Sequence, residues 1–145
     1  MNRLVITMGD PCGVGPEIIV KFFDGIYKVE DKRLFLVVVG SKSVLEYYKK
    51  KLKIDLEIVE ITKAHIVDGK LENGKLHLIN IDTDIDKLEF GKHTELGGAL
   101  SIKYLDKAIE LCHGKYVDGI VTCPISKDSI NMAGFKYSGH TEYLA

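Results

Sequence analysis

Apolar residues in this chain come in short dense runs, separated by stretches where they recur every third or fourth position. The run "RLVIT" is rich in β-branched residues and stops at Gly9, Asp10 and Pro11, which predicts a first strand. Pro16 suits the first turn of a helix, where its missing N–H costs nothing, and Glu17 beside it complements the helix dipole. "EIIVKFF" continues that helix. "LFLVVVG" is six unbroken apolar residues ended by Gly40, the pattern of a strand buried on both faces. Ser43 with Glu46 predicts a capping box for a helix running through Leu52. "LEIVEI" alternates, as a strand with one polar face does. Between Lys63 and Asp86 the pattern is less regular, and "ENGK" reads as a hairpin turn between "GKL" and "KLHLINI".

From Glu95 to His113 the positions Leu96, Ala99, Leu100, Leu105, Ala108, Ile109 and Cys112 recur at helical spacing. Gly114 stands where a helix end calls for a left-handed residue. "VDGIVT" predicts another buried strand, broken by Pro124. "SKDSINMAG" predicts a short helix, capped by Ser126 and closed by Gly134. Strand and helix alternate throughout, so the expected class is α/β with a largely parallel sheet and flanking helices.

Composition narrows the function classes. The 145 residues are 46% hydrophobic and 28% charged with a formal net charge of -1, as in an ordinary globular domain. Basic and acidic residues are interspersed, which leaves no footprint for nucleic acid or an anionic membrane; the lysines of "YYKKKLK" read as a solvated helix face. No apolar run approaches the roughly 20 residues that span a bilayer, and "MNRLVITMGD" is no signal peptide. Cys12, Cys112 and Cys123 are odd in number and lack CxxC spacing, so they are expected to be reduced, small buried hydrophobes in a cytoplasmic protein.

Ligands of open α/β sheets gather beyond the carboxyl ends of the strands. Three loops leave strands or helices there with unusual residues: "TMGDPCGVGPE", "TCPISK" and "SGHTEY". They are expected to converge on one side of the sheet. The first fails as a P-loop, because Val14 and Gly15 follow Gly13 where Lys and Ser/Thr belong. It also fails as a dinucleotide fingerprint, because Ile18 occupies the third glycine position. A glycine-rich turn feeding a helix remains. It either holds an anion on free N–H groups or simply makes a tight turn, and Asp10 and Glu17 oppose a phosphate there. Lys127 falls at a helix start, an electrostatically awkward place that suggests a carboxylate or phosphate partner, although a lysine pointing to water explains it equally well. His140, between Gly139 and Thr141, is a candidate ligand contact or a hydrogen-bonded structural histidine. His65, His77, His93 and His113 show no metal-ligand spacing.

Taken together, "ITMGDPCGVGPEI", "GGALSIKYLDKAIELC" with "DGIVTCPISK", and "AGFKYSGHTEYLA" resemble the 4-hydroxythreonine-4-phosphate dehydrogenases of pyridoxal phosphate biosynthesis. The resemblance covers nearly all of the chain except a stretch near residues 50 to 90. It implies an isocitrate/isopropylmalate dehydrogenase-like fold, here a truncated N-terminal portion. Residues 1–123 would form part of a first α/β domain and residues 124–145 the start of a second, substrate-site domain. It implies a homodimer that uses NAD and a divalent metal (Zn, Mg or Co) to oxidise 4-phosphooxy-L-threonine, a small phosphorylated hydroxy amino acid. The product would be a β-keto acid that loses carbon dioxide to give 3-amino-2-oxopropyl phosphate. His140 and Thr141 match the family's substrate-contacting pair; Lys127 falls near that site, and Asp10 is a further candidate contact. The metal ligands and NAD contacts would lie beyond Ala145, so the 145 residues alone are expected to be inactive. Related readings are a dehydrogenase of threonate or erythronate 4-phosphate, and a phosphate acyltransferase-like protein.

Overall fold

The computed structural model describes residues 2–25, 34–69, 72, 74–137 and 139–145. Its elements are β1 (Asn2–Thr7), α1 (Gly15–Asp24), β2 (Leu34–Gly40), α2 (Lys42–Lys51), β3 (Ile58–Glu60), α3 (Lys63–Asp68), β4 (Leu76–Asn80), a single 3-10 turn (Ile85–Lys87), α4 (Glu95–His113), β5 (Gly119–Thr122), α5 (Lys127–Met132) and α6 (His140–Leu144). The strands form one sheet in the order β3-β4-β2-β1-β5, and every pairing is parallel. Val5 lies at the centre, opposite Val37 on one side and Ile120 on the other.

Crossovers between parallel strands are right-handed, so the direction of each step decides which face its helix covers. The steps β1 to β2 and β2 to β3 run one way across the sheet; β3 to β4 and β4 to β5 run back. Helices α1 and α2 therefore share one face and α3 and α4 the other. Lys63 of α3 accordingly pairs with Glu110 of α4. The main core joins β1, β2 and β4 to Phe23 of α1, Leu45 of α2 and Leu100, Tyr104, Ala108 and Leu111 of α4. Tyr104 is fully buried, and its hydroxyl shares a hydrogen bond with Ser41, whose own hydroxyl donates to Ile81 O at 2.8 Å. A second, smaller cluster forms on another side of α4, where Ile102 and Leu105 meet Ile130, flanked by Ile125, Phe135, Tyr137 and Tyr143.

Local chemistry explains most boundaries. Pro16 sits in the first turn of α1. Thr94 caps α4 by accepting from Gly97 N at 2.9 Å. Ser126 caps α5 by accepting from Ser129 N at 3.1 Å, and Gly134 closes that segment at φ +93. No helix among the described residues is long and apolar enough to cross a membrane.

Other expectations are corrected. The Ser43–Glu46 box does not form, because α2 starts at Lys42, and Ser43 is already inside the helix. The hydroxyl of Ser43 donates to Thr83 O at 3.3 Å instead. The first free amide, Lys42 N, is capped from β4 by the side chain of Asn80 at 2.9 Å. Gly114 is right-handed (φ -74), and Lys115 takes the left-handed position (φ 60). The glycine is needed for room, since a Cβ there would lie 2.7 Å from the ring of Tyr116. "VDGIVT" is not buried on both faces: β5 is an edge strand, and Val121 is 45% exposed. The alternating "LEIVEI" yields only the three residues of β3. In the expected hairpin, Lys70, Leu71 and Asn73 lie outside the described residues. Its second arm is β4, which pairs in parallel with β2 and β3. Helix α3 was hidden in the irregular stretch; its start is held by Thr62 N donating to His65 Nδ1 at 3.0 Å.

Candidate functional site

Thr7 and Thr122 are paired at the carboxyl ends of β1 and β5. The chain leaves β1 toward β2 on one side and reaches β5 on the other, so this pair marks the topological switch point, where open α/β sheets form their crevice. The loops after the two strands pack directly on each other. Asp10 N donates to Pro124 O at 3.1 Å. Gly9 has φ +73, and a Cβ there would lie 2.4 Å from Pro124 O, so this turn needs glycine for both conformation and space.

A cavity of about 310 Å³ opens at this point, lined by Asp10, Cys12, Lys92, His93, Pro124 and Ser126 among others. Asp10 is only 4% exposed, and its Oδ1 accepts from Cys12 N at 2.9 Å, closing the loop on itself. The same carboxylate abuts the start of α4, where a Cβ on Gly97 would come within 2.6 Å of Oδ1. Asp10 thus has a structural task in the loop as well as a place at the cavity wall.

His93 and Ser126 form a polar pair that the sequence does not announce. Ser126 Oγ accepts from Ser129 N at 3.1 Å and shares a second hydrogen bond with His93 Nδ1 at 2.7 Å. The other ring nitrogen, Nε2, faces Asp128 Oδ2 at 3.9 Å. Ser129 Oγ in turn accepts from Thr94 N at 3.1 Å. The start of α5 is thereby stitched to the segment before α4. The two partners are 33 residues apart, and no motif spacing joins them.

A second cavity, of about 480 Å³, is lined by Lys127, Asn131, Lys136, Tyr137 and Glu142. Lys127 is the first residue of α5 and exposed, so its ammonium can reach an anion in this space. The structure thus brings Asp10 together with the "TCPISK" loop, and Lys127 together with the "GHTEY" segment, but around two separate cavities.

His140 and Thr141 open α6. Thr141 is exposed, with its hydroxyl available. His140 Nε2 is buried and has no hydrogen-bond partner among the described residues. Burial lowers its pKa, which favours the neutral imidazole. Among the described residues a Cβ on Gly139 would meet nothing within 4 Å, so none of their contacts calls for the glycine.

The thiols are free and poorly ionised: burial raises Cys12 and Cys112 and pushes Cys123 up to about 11. Among the described residues no three His, Cys, Asp or Glu side chains gather in ligating geometry. Two of the histidines are engaged elsewhere: His77 Nε2 accepts from Glu72 N at 3.2 Å, and His65 caps α3. These residues do not by themselves fit a divalent metal. The turn before α1 does not fit a dinucleotide pyrophosphate either. A Cβ on Gly15 would lie 2.0 Å from Met8 O, so this glycine serves packing of the chain on itself, and Glu17, paired with Lys21 at 3.1 Å, adds negative charge to the helix start.

Comparison with known proteins agrees with the fold. The chain is 40% identical, over 99% of its own length and 42% of the relative's, to a Fusobacterium nucleatum protein provisionally named D-threonate 4-phosphate dehydrogenase. It is 39% identical, over 100% of its length and 42% of the relative's, to a 4-hydroxythreonine-4-phosphate dehydrogenase of a Sulfurihydrogenibium species. It superposes on the crystal structure of a 4-hydroxythreonine-4-phosphate dehydrogenase from Burkholderia phymatum with a TM-score of 0.88 and 30% identity, covering 100% of this chain and 43% of that one. The chain therefore spans less than half the length of the relatives it matches. The profile of the family described as pyridoxal phosphate biosynthetic protein PdxA matches residues 32–145. With its parallel sheet, its two loops meeting at the switch point and its "GHTEYLA" turn, the chain belongs to the PdxA family.

Proposed function

We propose that this chain supplies part of the substrate pocket of an NAD- and divalent-metal-dependent dehydrogenase acting on 4-phosphooxy-L-threonine. The carrying observation is His140: a buried Nε2 without a partner among the described residues, on an imidazole whose pKa burial lowers. An unsatisfied buried nitrogen costs free energy, about 1–3 kcal/mol, which a ligand can return by hydrogen-bonding to it. A neutral imidazole can donate to a substrate carbonyl or carboxylate, or accept from a substrate hydroxyl, at that nitrogen. The hydroxyl of Thr141 offers a second contact beside it, and the Lys127 ammonium a counter-charge for phosphate or carboxylate.

Oxidation of the substrate's secondary alcohol would give a β-keto acid that loses carbon dioxide. NAD and the metal are proposed from the family resemblance alone. What this chain's own residues do is bind and orient. The same resemblance supports a cytoplasmic homodimer in which residues 124–145 open a second, substrate-site domain.

A second reading is D-threonate 4-phosphate as substrate, favoured by the name of the 40% identical relative. The two substrates differ in the group at the carbon beside the carboxylate, an amine or a hydroxyl. Titrating the chain with each compound while following the His140 imidazole by NMR tests both readings. Perturbation of His140 is expected, and the compound acting at lower concentration names the substrate. A His140 signal unmoved by either would overturn the assignment.

A further inference from the structure

We propose that Asp106 and Tyr143 are positioning residues, a clasp between α4 and α6 that sets the orientation and burial of His140. This rests on the reading of His140 as a substrate contact. Helix α6 opens at His140 and carries Tyr143 in its first turn. The hydroxyl of Tyr143 donates to Asp106 Oδ1, joining α6 to the middle of α4 across 37 residues. The ring of Tyr143 meets that of Tyr137 edge-on, with centroids 4.9 Å apart, and both flank the cluster built on Ile102 and Leu105 of α4.

His140 and Tyr143 are three residues apart in a helical turn, so they share a face. The face that Tyr143 holds toward α4 is thus the face on which His140 is carried, and His140 is the residue whose Nε2 is hidden from water. Asp106 faces this turn from α4, while Lys127, Lys136 and Glu142 surround the neighbouring cavity. The lowering at His140 is caused by burial. Loosening the clasp lets water reach the imidazole, and its titration then moves upward toward the ordinary histidine value of about 6.5.

The clasp separates cleanly from packing and from charge. Tyr143→Phe keeps the ring and removes only the hydroxyl, so a purely packing role leaves His140 unmoved. Asp106→Ala removes a carboxylate, and loss of a nearby negative charge alone would shift His140 downward, opposite to the effect of exposure. Asp106→Asn keeps an acceptor oxygen for the Tyr143 hydroxyl.

The experiment is an NMR pH titration of the His140 imidazole in the 145-residue chain and these three variants, each also titrated with 4-phosphooxy-L-threonine. An upward shift in Tyr143→Phe and Asp106→Ala, with Asp106→Asn near the original value, is expected. An unchanged or lowered His140 titration in Tyr143→Phe overturns the clasp, whatever the ligand does. If the shifts occur but the unsubstituted chain shows no response to the ligand, the clasp stands and the substrate reading falls.

Discussion

Ser126 Oγ lies 2.7 Å from Nδ1 of His93 while it accepts the amide of Ser129, so one hydroxyl both caps α5 and ties it to the segment preceding α4. Ser126 is thereby a joint between the two strands' loops and the cluster that carries α6, rather than a residue of a helix start alone.

Replacing Ser126 with Ala removes the cap and the histidine bond together. Loss of an N-cap costs about 1 kcal/mol, and the half-exposed setting keeps the histidine contribution below that. Chemical denaturation of Ser126→Ala, His93→Ala and the double variant should show the pair to be non-additive, because the second substitution has no bond left to break. Strict additivity would mean that the two side chains do not interact in solution.

Gly98 of α4 packs directly against α5: a Cβ there would lie 1.9 Å from Ser129 O. The obstacle is backbone, which cannot rotate away. Gly98→Ala should destabilise the chain by about 1–3 kcal/mol despite the better helix propensity of alanine. Stabilisation on thermal melting would show that α5 is free to move off α4.

Burial lowers the pKa of His77 and of His140. A histidine with a depressed folded pKa binds fewer protons folded than unfolded, so its contribution is fully present above the unfolded value of about 6.5 and is lost as pH falls through the folded value. Stability should therefore decline on acidification below about pH 6.5. His77 is 3% exposed and accepts from Glu72 N, so His77→Gln should flatten that decline while retaining a hydrogen-bonding side chain. Unfolding curves at several pH values check it, and an unchanged slope would remove His77 from the account.

The elements carried by one dense pattern were legible in the sequence. "LFLVVVG" is β2, and the helical period from Glu95 to His113 gives α4 at both ends. What failed was decided by partners distant in sequence. Asn80 caps α2 from another strand, so Ser43 and Glu46, correct in type and spacing, had no helix start to cap. Gly114 answers to the ring of Tyr116 rather than to its own dihedrals. Apolar "VDGIVT" looks like a central strand because periodicity reports apolar neighbours and not their number, and only the sheet order puts β5 at an edge.

The site divides in the same way. His140, Thr141, Lys127 and Asp10 could be picked out by residue type and loop position. The burial of His140 Nε2, the inward bond of Asp10, the clasp of Tyr143 on Asp106 and the His93–Ser126 pair each depend on a fold contact that no local pattern encodes.

The central claim is that His140 contacts substrate through a nitrogen that no described residue pairs. Its most direct test is the affinity of the chain for 4-phosphooxy-L-threonine, measured by calorimetry beside its melting temperature, before and after His140→Ala. Losing a hydrogen bond to a charged group costs about 1.5–3 kcal/mol, a roughly ten- to hundredfold weaker affinity, while removal of an unsatisfied nitrogen leaves melting unchanged or slightly raised. A variant that binds as tightly as the original but melts at a lower temperature would contradict the account.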